Sequence, residues 1–265
     1  MEEIGEATKP SPLILALIIM GVDLEEFIAS LTGAIGGLPE LAVRNVIGNN
    51  IISLTFVFGL PAFFFPVILK KAPSTLLYFL WGLTLTNLLS MIIQIPMWIF
   101  GVLNLIIYGV YLIYAFRNLR RPLIEEHELN EALEKQRMIT NENKEQNVKR
   151  IRRSLVGLII VAAGTNVEES SILFKSIKKN CTELGMASLI RKIIWNSGIT
   201  FGISALIIFS VTFYSWNLIL VTGLMVILII PFISFLFIKK KEISKKNALV
   251  LMILFGIYLL LSIII

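Results

Sequence analysis

The stretch that decides the fold is GVDLEE, residues 21–26, which places three carboxylates inside an apolar run from residue 12 to residue 37. A second copy, GTNVEE, follows 143 positions later at residues 164–169. The same ungapped shift superposes Ser53 on Asn196. An internal duplication that puts acids in the middle of apolar segments is typical of membrane transporters built from two related halves.

The composition indicates an integral membrane protein. Hydrophobic residues make up 56% of the 265 residues and the mean hydropathy is +0.83, whereas soluble domains average about 45–50% apolar residues with glycine included. Most charges lie in residues 117–153 and in short basic clusters. The basic residues behind the net charge of +6 are therefore expected to orient the chain in the lipid bilayer of the cell membrane. Nucleic acid is not an expected partner.

The apolar runs predict about eight membrane spans. At about 1.5 Å per residue, each run covers or nearly covers a hydrocarbon core about 30 Å thick. Because open strands cannot exist in lipid, the predicted fold class is all-α, a polytopic helical membrane protein. The expected spans are residues 12–36, 41–69, 74–95, 97–116, 154–174, 184–210, 216–238 and 247–265.

The charge distribution divides the chain into two related four-helix halves, residues 1–116 and 154–265. Each half consists of a repeat, residues 12–69 or 154–210, followed by two plain helices. The polar segment 117–153 connects the halves, and its basic ends predict that this connector lies on the cytoplasmic side of the membrane.

The orientation of the second half stays open. If every span crosses, the basic clusters at residues 175–179 and 239–246 lie outside, against the usual distribution of positive charge. One solution is that segment 154–174 dips into the membrane and returns, facing a cavity lined by protein. The other is a dual topology with antiparallel homodimers.

The acidic segments carry the expected chemistry. If residues 21–26 are helical, Asp23 and Glu26 share one face, while Glu25 points about 100° away. An ionised acid at mid-bilayer costs about 2.5 kcal/mol or more, so these groups need a cation, a proton or a basic partner. The second copy repeats the pattern with Asn166 and Glu169, preceded by Thr165.

Further polar residues on the following helices complete a candidate ligand set. Asn49 and Ser53 are four residues apart on span 41–69, and Asn196 is the repeat equivalent of Ser53. Carboxylate, hydroxyl and amide oxygens are the ligands that a hard cation such as Ca²⁺ or Na⁺ prefers. Lys192 stands four residues before Asn196, so its ammonium could reach the acids and occupy the place of a cation.

These segments resemble the repeats of the sodium/calcium exchanger family, also called the cation/Ca²⁺ antiporter family. Residues 21–26 and LAVRNVIGNNIIS (41–53) are similar to its first repeat, and LVGLIIVAAGTNVEE (155–169) is similar to the beginning of its second. The resemblance covers nearly the whole chain. It implies that Glu26 and Glu169 bind Ca²⁺ and Na⁺ at the bilayer centre during antiport by alternating access.

According to this resemblance, the remaining polar residues would supply further oxygen ligands to the cations: Asp23, Asn49, Ser53, Thr165, Asn166 and Asn196. A buried glutamic acid could equally trade a proton for the cation. The transported ions are thus Ca²⁺ and Na⁺ or H⁺, and no cofactor is expected. The chain offers no nucleophile paired with a base, so an enzyme is not expected either.

The chain departs from the family pattern at several points. The proline of each signature is replaced by Glu25 and Glu168, and the serine of the second helix by Asn49 and Lys192. The long first helix of each half has no evident counterpart. An alternative is therefore a non-transporting relative, structural or regulatory, in which Lys192 permanently neutralises the site.

Overall fold

The computed structural model of the chain describes residues 22–69, 74–93, 95–118, 166, 169–178, 182–209 and 215–264. These residues are almost entirely helical, as the all-α class requires. Thr165, Glu168 and most of the connector 117–153 lie outside the described residues. The domain limits, the cytoplasmic side of the connector and the homodimer therefore stay predictions.

The first half begins with two helices joined by a tight turn. Gly37 has a φ of 72°, a left-handed conformation that favours glycine, and proline starts the second helix at a position where its missing N–H is harmless. The elements of this half are α1 (Leu24–Ile35), α2 (Pro39–Ile52), a π-helical turn (Ser53–Val57), α3 (Phe58–Phe64), β1 (Val67–Ile68), α4 (Ser74–Ile92) and α5 (Met97–Asn118).

The second half repeats the first part of this order, two helices, a π-helical turn and a third helix, but its short strand lies later, directly before its last helix. Its elements are α6 (169–178), α7 (Thr182–Trp195), a π-helical turn (Asn196–Thr200), α8 (Phe201–Ile208), α9 (Trp216–Leu224), a second π-helical turn (Met225–Ile229), α10 (Ile230–Phe235), a third (Leu236–Lys240), β2 (Glu242–Ile243) and α11 (Lys245–Ile264).

The duplication extends to the boundaries of the elements. α2 and α7 begin and end 143 residues apart, and so do the π-helical turns Ser53–Val57 and Asn196–Thr200. Pro61 follows the first turn, but Ser204 stands at the equivalent place in the second half. Formation of the π-helical turn therefore does not depend on the proline. Such turns inside α-helices are frequent at functional sites.

Within the described part of the chain, five helices are long and apolar enough to cross a membrane: Pro39–Phe64, Ser74–Ile92, Met97–Arg117, Trp216–Lys240 and Lys245–Ser262. They confirm the expected spans at 41–69, 74–95, 97–116, 216–238 and 247–265. The expected spans 12–36 and 154–174 extend beyond the described residues. The expected span 184–210 is an uninterrupted helical segment from Thr182 to Ile208 that includes the π-helical turn Asn196–Thr200.

Polarity is distributed as in a protein surrounded by lipid. Large apolar side chains of α5 and α11, such as Ile106, Ile113 and Leu260, are 57–59% exposed. In contrast, Asn50, Ser53 and many other polar residues are fully buried. Polar groups inside a helical bundle hydrogen-bond to neighbouring helices, because the hydrocarbon of the lipid offers no hydrogen-bond partners.

Small residues allow the helices of the two halves to approach closely. A Cβ atom added to Gly101 of α5 would lie 2.8 Å from the carbonyl oxygen of Gly202 in α8. The hydroxyls of Ser30 in α1 and Ser204 in α8 are 3.1 Å apart and hydrogen-bonded. In addition, β1 and β2 pair antiparallel as a short ribbon. The two halves are therefore interleaved.

Candidate functional site

Asp23 lies at the amino end of α1, not within a helix. Its backbone is extended, with φ −109° and ψ 90°, and its Oδ1 atom accepts a hydrogen bond of 3.1 Å from the N–H of Glu26. The expectation that Asp23 and Glu26 share one face of a continuous helix is wrong, because the helix begins at Leu24. Aspartate is a preferred cap, since its oxygen satisfies an amide that has no partner within the helix.

Glu26 occupies the first turn of α1 and is only 6% exposed. Asn45 of α2 donates a hydrogen bond of 3.1 Å to its backbone carbonyl, which fixes this turn against the neighbouring helix. The carboxylate lies within electrostatic reach of Asp23 and Lys192. Glu25 is exposed, so only one of the two adjacent glutamates faces the protein interior.

Glu169 is the repeat equivalent of Glu26 and belongs to α6. Its Oε2 atom accepts a hydrogen bond of 3.2 Å from the hydroxyl of Ser53. Ser53 is the first residue of the π-helical turn in the other repeat. A polar residue of the first half therefore positions the acid of the second half.

Lys192 joins the acids of the two repeats. Its Nζ atom is 2.9 Å from Oδ2 of Asp23, and it forms a second ion pair with Glu169. The three side chains are only 11–13% exposed. Because charges taken out of water are costly unless they are paired, this contact neutralises part of the buried negative charge.

Two amides extend the cluster around Lys192. Asn49, its repeat equivalent, places Nδ2 at 3.4 Å from Oδ2 of Asp23. Asn166 donates a hydrogen bond of 3.3 Å to Oδ1 of Asn49 and is 1% exposed. The structure thus connects six of the residues singled out from the sequence: Asp23, Asn49, Ser53, Asn166, Glu169 and Lys192.

Asn196 lies apart from this chain of contacts. It is fully buried, one helical turn beyond Lys192, and neither its amide nitrogen nor its amide oxygen has a hydrogen-bond partner among the described residues. An unpaired buried amide costs roughly 1–3 kcal/mol. Its hydrogen-bonding capacity is unused in this conformation, and its role as a ligand stays a prediction.

The sequence patterns missed a buried pair next to the predicted ligands. Asn50 donates a hydrogen bond of 2.9 Å to Ser197, and both residues are fully buried. Each is adjacent in sequence to a predicted ligand, Asn49 or Asn196. The two residues are not equivalent under the shift of 143 residues. A comparison of the two repeats therefore does not identify them as a pair.

Arg191, the neighbour of Lys192, faces a different environment. It is 8% exposed and hydrogen-bonds Tyr111 of α5. No carboxylate of the described part of the chain forms an ion pair with it. Adjacent residues of a helix project about 100° apart, so Arg191 and Lys192 reach different partners.

The cluster offers the mixture of carboxylate, amide and hydroxyl oxygens that suits a hard cation. Among the described residues, no three acidic, histidine or cysteine side chains converge on one point that could hold a metal ion. A cation bound here would therefore take carboxylate oxygens together with the amide and hydroxyl oxygens around them, a mixture that Ca²⁺ and Na⁺ accept.

Comparison with known proteins agrees with this picture. The family model described as sodium/calcium exchanger protein matches residues 1–117 and 139–264. No curated protein sequence matches the chain. The fold is similar to that of the sodium-calcium exchanger NCX_Mj, soaked with zero Na⁺ and Ca²⁺, with a TM-score of 0.69, 19% identity and coverage of 97% of this chain and 89% of the other. The same exchanger soaked with 10 mM Na⁺ and 10 mM Sr²⁺ gives a TM-score of 0.67, 20% identity and the same coverage.

Proposed function

Because the chain belongs to the sodium/calcium exchanger family, we propose that it is an antiporter that moves Ca²⁺, or a similar cation, in exchange for Na⁺ or H⁺. Transport proceeds by alternating access, in which the site opens to one side of the membrane at a time. Glu26 and Glu169 are the central ligands. The further oxygen ligands are Asp23, Asn49, Ser53, Thr165, Asn166 and Asn196.

The observation that supports this proposal is a buried polar cluster in which Lys192 contacts one acid of each half, Asp23 and Glu169, with Glu26 within electrostatic reach of Asp23 and Lys192. Glu26 and Glu169 stand 143 residues apart at equivalent positions of their repeats. Ser53 of the first half hydrogen-bonds Glu169 of the second, and Lys192 of the second half contacts Asp23 of the first. A cation bound among these groups would touch both halves at once.

Coupling follows from shared ligands. Two kinds of cation that need the same carboxylates cannot occupy them together, so the arrival of one displaces the other. An empty site holds several negative charges in a low dielectric, which disfavours its movement through the membrane interior. A loaded site is nearly neutral and can be exposed on the opposite side.

The test is Ca²⁺ uptake into proteoliposomes that contain the purified protein, under an imposed Na⁺ gradient and, in parallel, an imposed proton gradient. We expect gradient-driven uptake by the native protein and its loss in Glu26→Gln and in Glu169→Gln, since each change removes a charged ligand. Glu25→Gln is the matched control, because Glu25 is the exposed neighbour of Glu26 and its change should leave uptake intact.

The two gradients distinguish the exchanged ion. Uptake driven by Na⁺ alone identifies Na⁺ as the counter-ion, and uptake driven by the pH difference alone identifies H⁺. Absence of uptake with either gradient, in protein shown to be folded, would contradict antiport. It would favour the alternative, a structural or regulatory relative in which Lys192 occupies the site permanently.

A further inference from the structure

Lys192 adds a positive charge to the second repeat, alongside the other charge difference between the copies, Asp23 against Asn166. The equivalent residue of the first repeat is Asn49, and both side chains reach the same oxygen, Oδ2 of Asp23. One repeat therefore presents a neutral amide where the other presents an ammonium group. A lysine head is a compact, strongly hydrated point charge on a flexible stem, unlike the planar guanidinium of arginine.

No other basic side chain of the described residues contacts these acids. Arg44, the nearest basic residue of α2, forms an ion pair of 2.7 Å with Glu40, where both side chains are 35–48% exposed. Arg191 is directed to Tyr111 of α5. The positive charge at the site is thus contributed by Lys192.

The charge balance of the cluster is therefore fixed by one residue. Among the described residues of the cluster, Asp23, Glu26 and Glu169 contribute three negative charges when ionised and Lys192 contributes one positive charge, which leaves two negative charges. All four residues are largely withdrawn from solvent. A site at membrane depth is stable only when its remaining charge is matched by bound cations or by protein groups.

We propose that Lys192 is a tethered cation that takes the place of one transported monovalent ion. The site is then neutralised by two positive charges, either one divalent cation or two monovalent cations, and exchange between them moves no net charge. This inference rests on the proposed antiport function, whose substrate stoichiometry it specifies. Lys192 acts here as a specificity-determining residue, since it sets how many ions the carboxylates accept.

The role of Lys192 as a cation also explains its contacts. Its ammonium contacts one carboxylate from each half, as a bound ion shared between the halves would. Because the ammonium is attached to α7 by its own side chain, it remains with the protein during the cycle. Dissociable ions make up the rest of the required charge.

The test compares the native protein with Lys192→Asn, which installs the residue of the equivalent position. Ca²⁺/Na⁺ exchange in proteoliposomes is followed together with a dye that reports membrane potential. We expect exchange without a change of potential in the native protein. In Lys192→Asn, the number of Na⁺ ions exchanged should rise from about two to about three per Ca²⁺, and each cycle should generate a potential.

A second measurement does not depend on transport. In detergent solution, removal of the ammonium should increase the affinity for Ca²⁺ by at least about tenfold, because a positive charge within a few ångströms no longer opposes the bound cation. The Lys192→Asn protein should also unfold at a lower temperature without cations and recover its stability when Ca²⁺ or Na⁺ is added. Native protein should respond less to the same additions.

Two variants control for effects of the side chain other than its charge. Lys192→Arg keeps the positive charge, so exchange should remain electrically silent. The double variant Lys192→Asn with Asn49→Lys moves the ammonium to the other repeat, where Asp23 is within reach. Because Asn49 is itself a proposed ligand, the readout is the charge moved per Ca²⁺ and not the rate of exchange, and the exchange should again be electrically silent with about two Na⁺ per Ca²⁺.

The outcomes separate this inference from the function on which it rests. Exchange by Lys192→Asn that moves no net charge, with unchanged Ca²⁺ affinity, would overturn the role of Lys192 and leave antiport intact. Exchange by the native protein that generates a potential would overturn it as well. Absence of exchange in the native protein and in all variants, with uptake equally absent under a proton gradient, would contradict antiport itself.

Discussion

At the scale of single residues, the two repeats share their glutamates but differ in the partners of those glutamates. Glu26 lies beside Asn45, which bonds its backbone carbonyl, whereas Glu169 is bonded by Ser53 and Lys192. Asn49 and its charged equivalent, Lys192, both contact Oδ2 of Asp23. The two copies thus share their glutamates, while Asp23 against Asn166 and Asn49 against Lys192 make the charge on the two sides of the site unequal.

The buried arginine next to this site gives the first prediction. Tyr111→Phe removes the phenol oxygen that accepts a hydrogen bond from Arg191, which is 8% exposed. We expect the free energy of unfolding to fall by about 1–3 kcal/mol, since a buried charged donor loses its partner. Thermal unfolding in detergent measures the change.

Tyr114→Phe serves as the control for that change. Tyr114 lies one turn away on the same helix, and its ring packs against Phe79 in a contact that does not need the hydroxyl. We expect its melting temperature to equal that of the native protein. Equal loss of stability in both variants would refute a specific role of the Tyr111 hydroxyl.

At the scale of the elements, close packing of helices places the site. α5 crosses α8 with almost no space between the backbones, as the contact between Gly101 and Gly202 demonstrates. α8 continues α7 through the π-helical turn Asn196–Thr200, so the position of α8 also fixes that of Lys192. Small residues at helix crossings are the usual means by which membrane helices approach each other.

Replacement of one of these glycines should therefore separate the helices. In Gly101→Ala the new methyl group would lie 2.8 Å from the carbonyl oxygen of Gly202, a distance that forces the backbones apart. We expect a loss of about 1–3 kcal/mol in the free energy of unfolding. Gly109→Ala on the same helix, where no atom lies within 4 Å of the added methyl group, should be neutral or gain about 0.5–1 kcal/mol.

Thermal unfolding of both variants in the same detergent decides between packing and helix propensity. A lower melting temperature for Gly101→Ala alone indicates that packing dominates. If both variants melt alike, the close approach of α5 and α8 does not limit stability.

At the scale of the whole molecule, the two halves are joined by buried polar contacts that cross between them. They include the hydrogen bonds between Ser30 and Ser204, Asn50 and Ser197, Ser53 and Glu169, and Asn49 and Asn166, together with the ion pair of Lys192 and Asp23. An antiporter with alternating access must rearrange contacts between its parts in every cycle. Contacts made by short hydroxyl and amide groups can be exchanged at a small net cost.

A cross-link between the halves tests this rearrangement. The hydroxyls of Ser30 and Ser204 are 3.1 Å apart, so cysteines at these positions would be close enough for a disulfide. In a Cys181→Ser background, we expect Ser30→Cys with Ser204→Cys to lose Ca²⁺ uptake on oxidation and to recover it on reduction. Each single cysteine variant should be insensitive to oxidation. Full uptake by cross-linked protein would mean that α1 and α8 move together.

Periodicity and repetition in the sequence were sufficient for much of the fold. Five of the expected spans are helices of membrane length, because a run of about twenty apolar residues has no other stable form in lipid. The shift of 143 residues likewise predicted which residues are equivalent. The start of α1 at Leu24 was not predicted, since the choice of Asp23 as a cap depends on one local hydrogen bond and not on hydropathy.

The sequence by itself determined the class of the protein, its duplication and the charged residues that the structure brings together in the buried cluster. Only the tertiary structure decided which of these residues meet. It placed Lys192 between Asp23 and Glu169, directed Arg191 to Tyr111 and paired Asn50 with Ser197. The physical reason is that hydropathy acts along the chain, whereas the partners of a buried polar group are set by how helices distant in sequence cross.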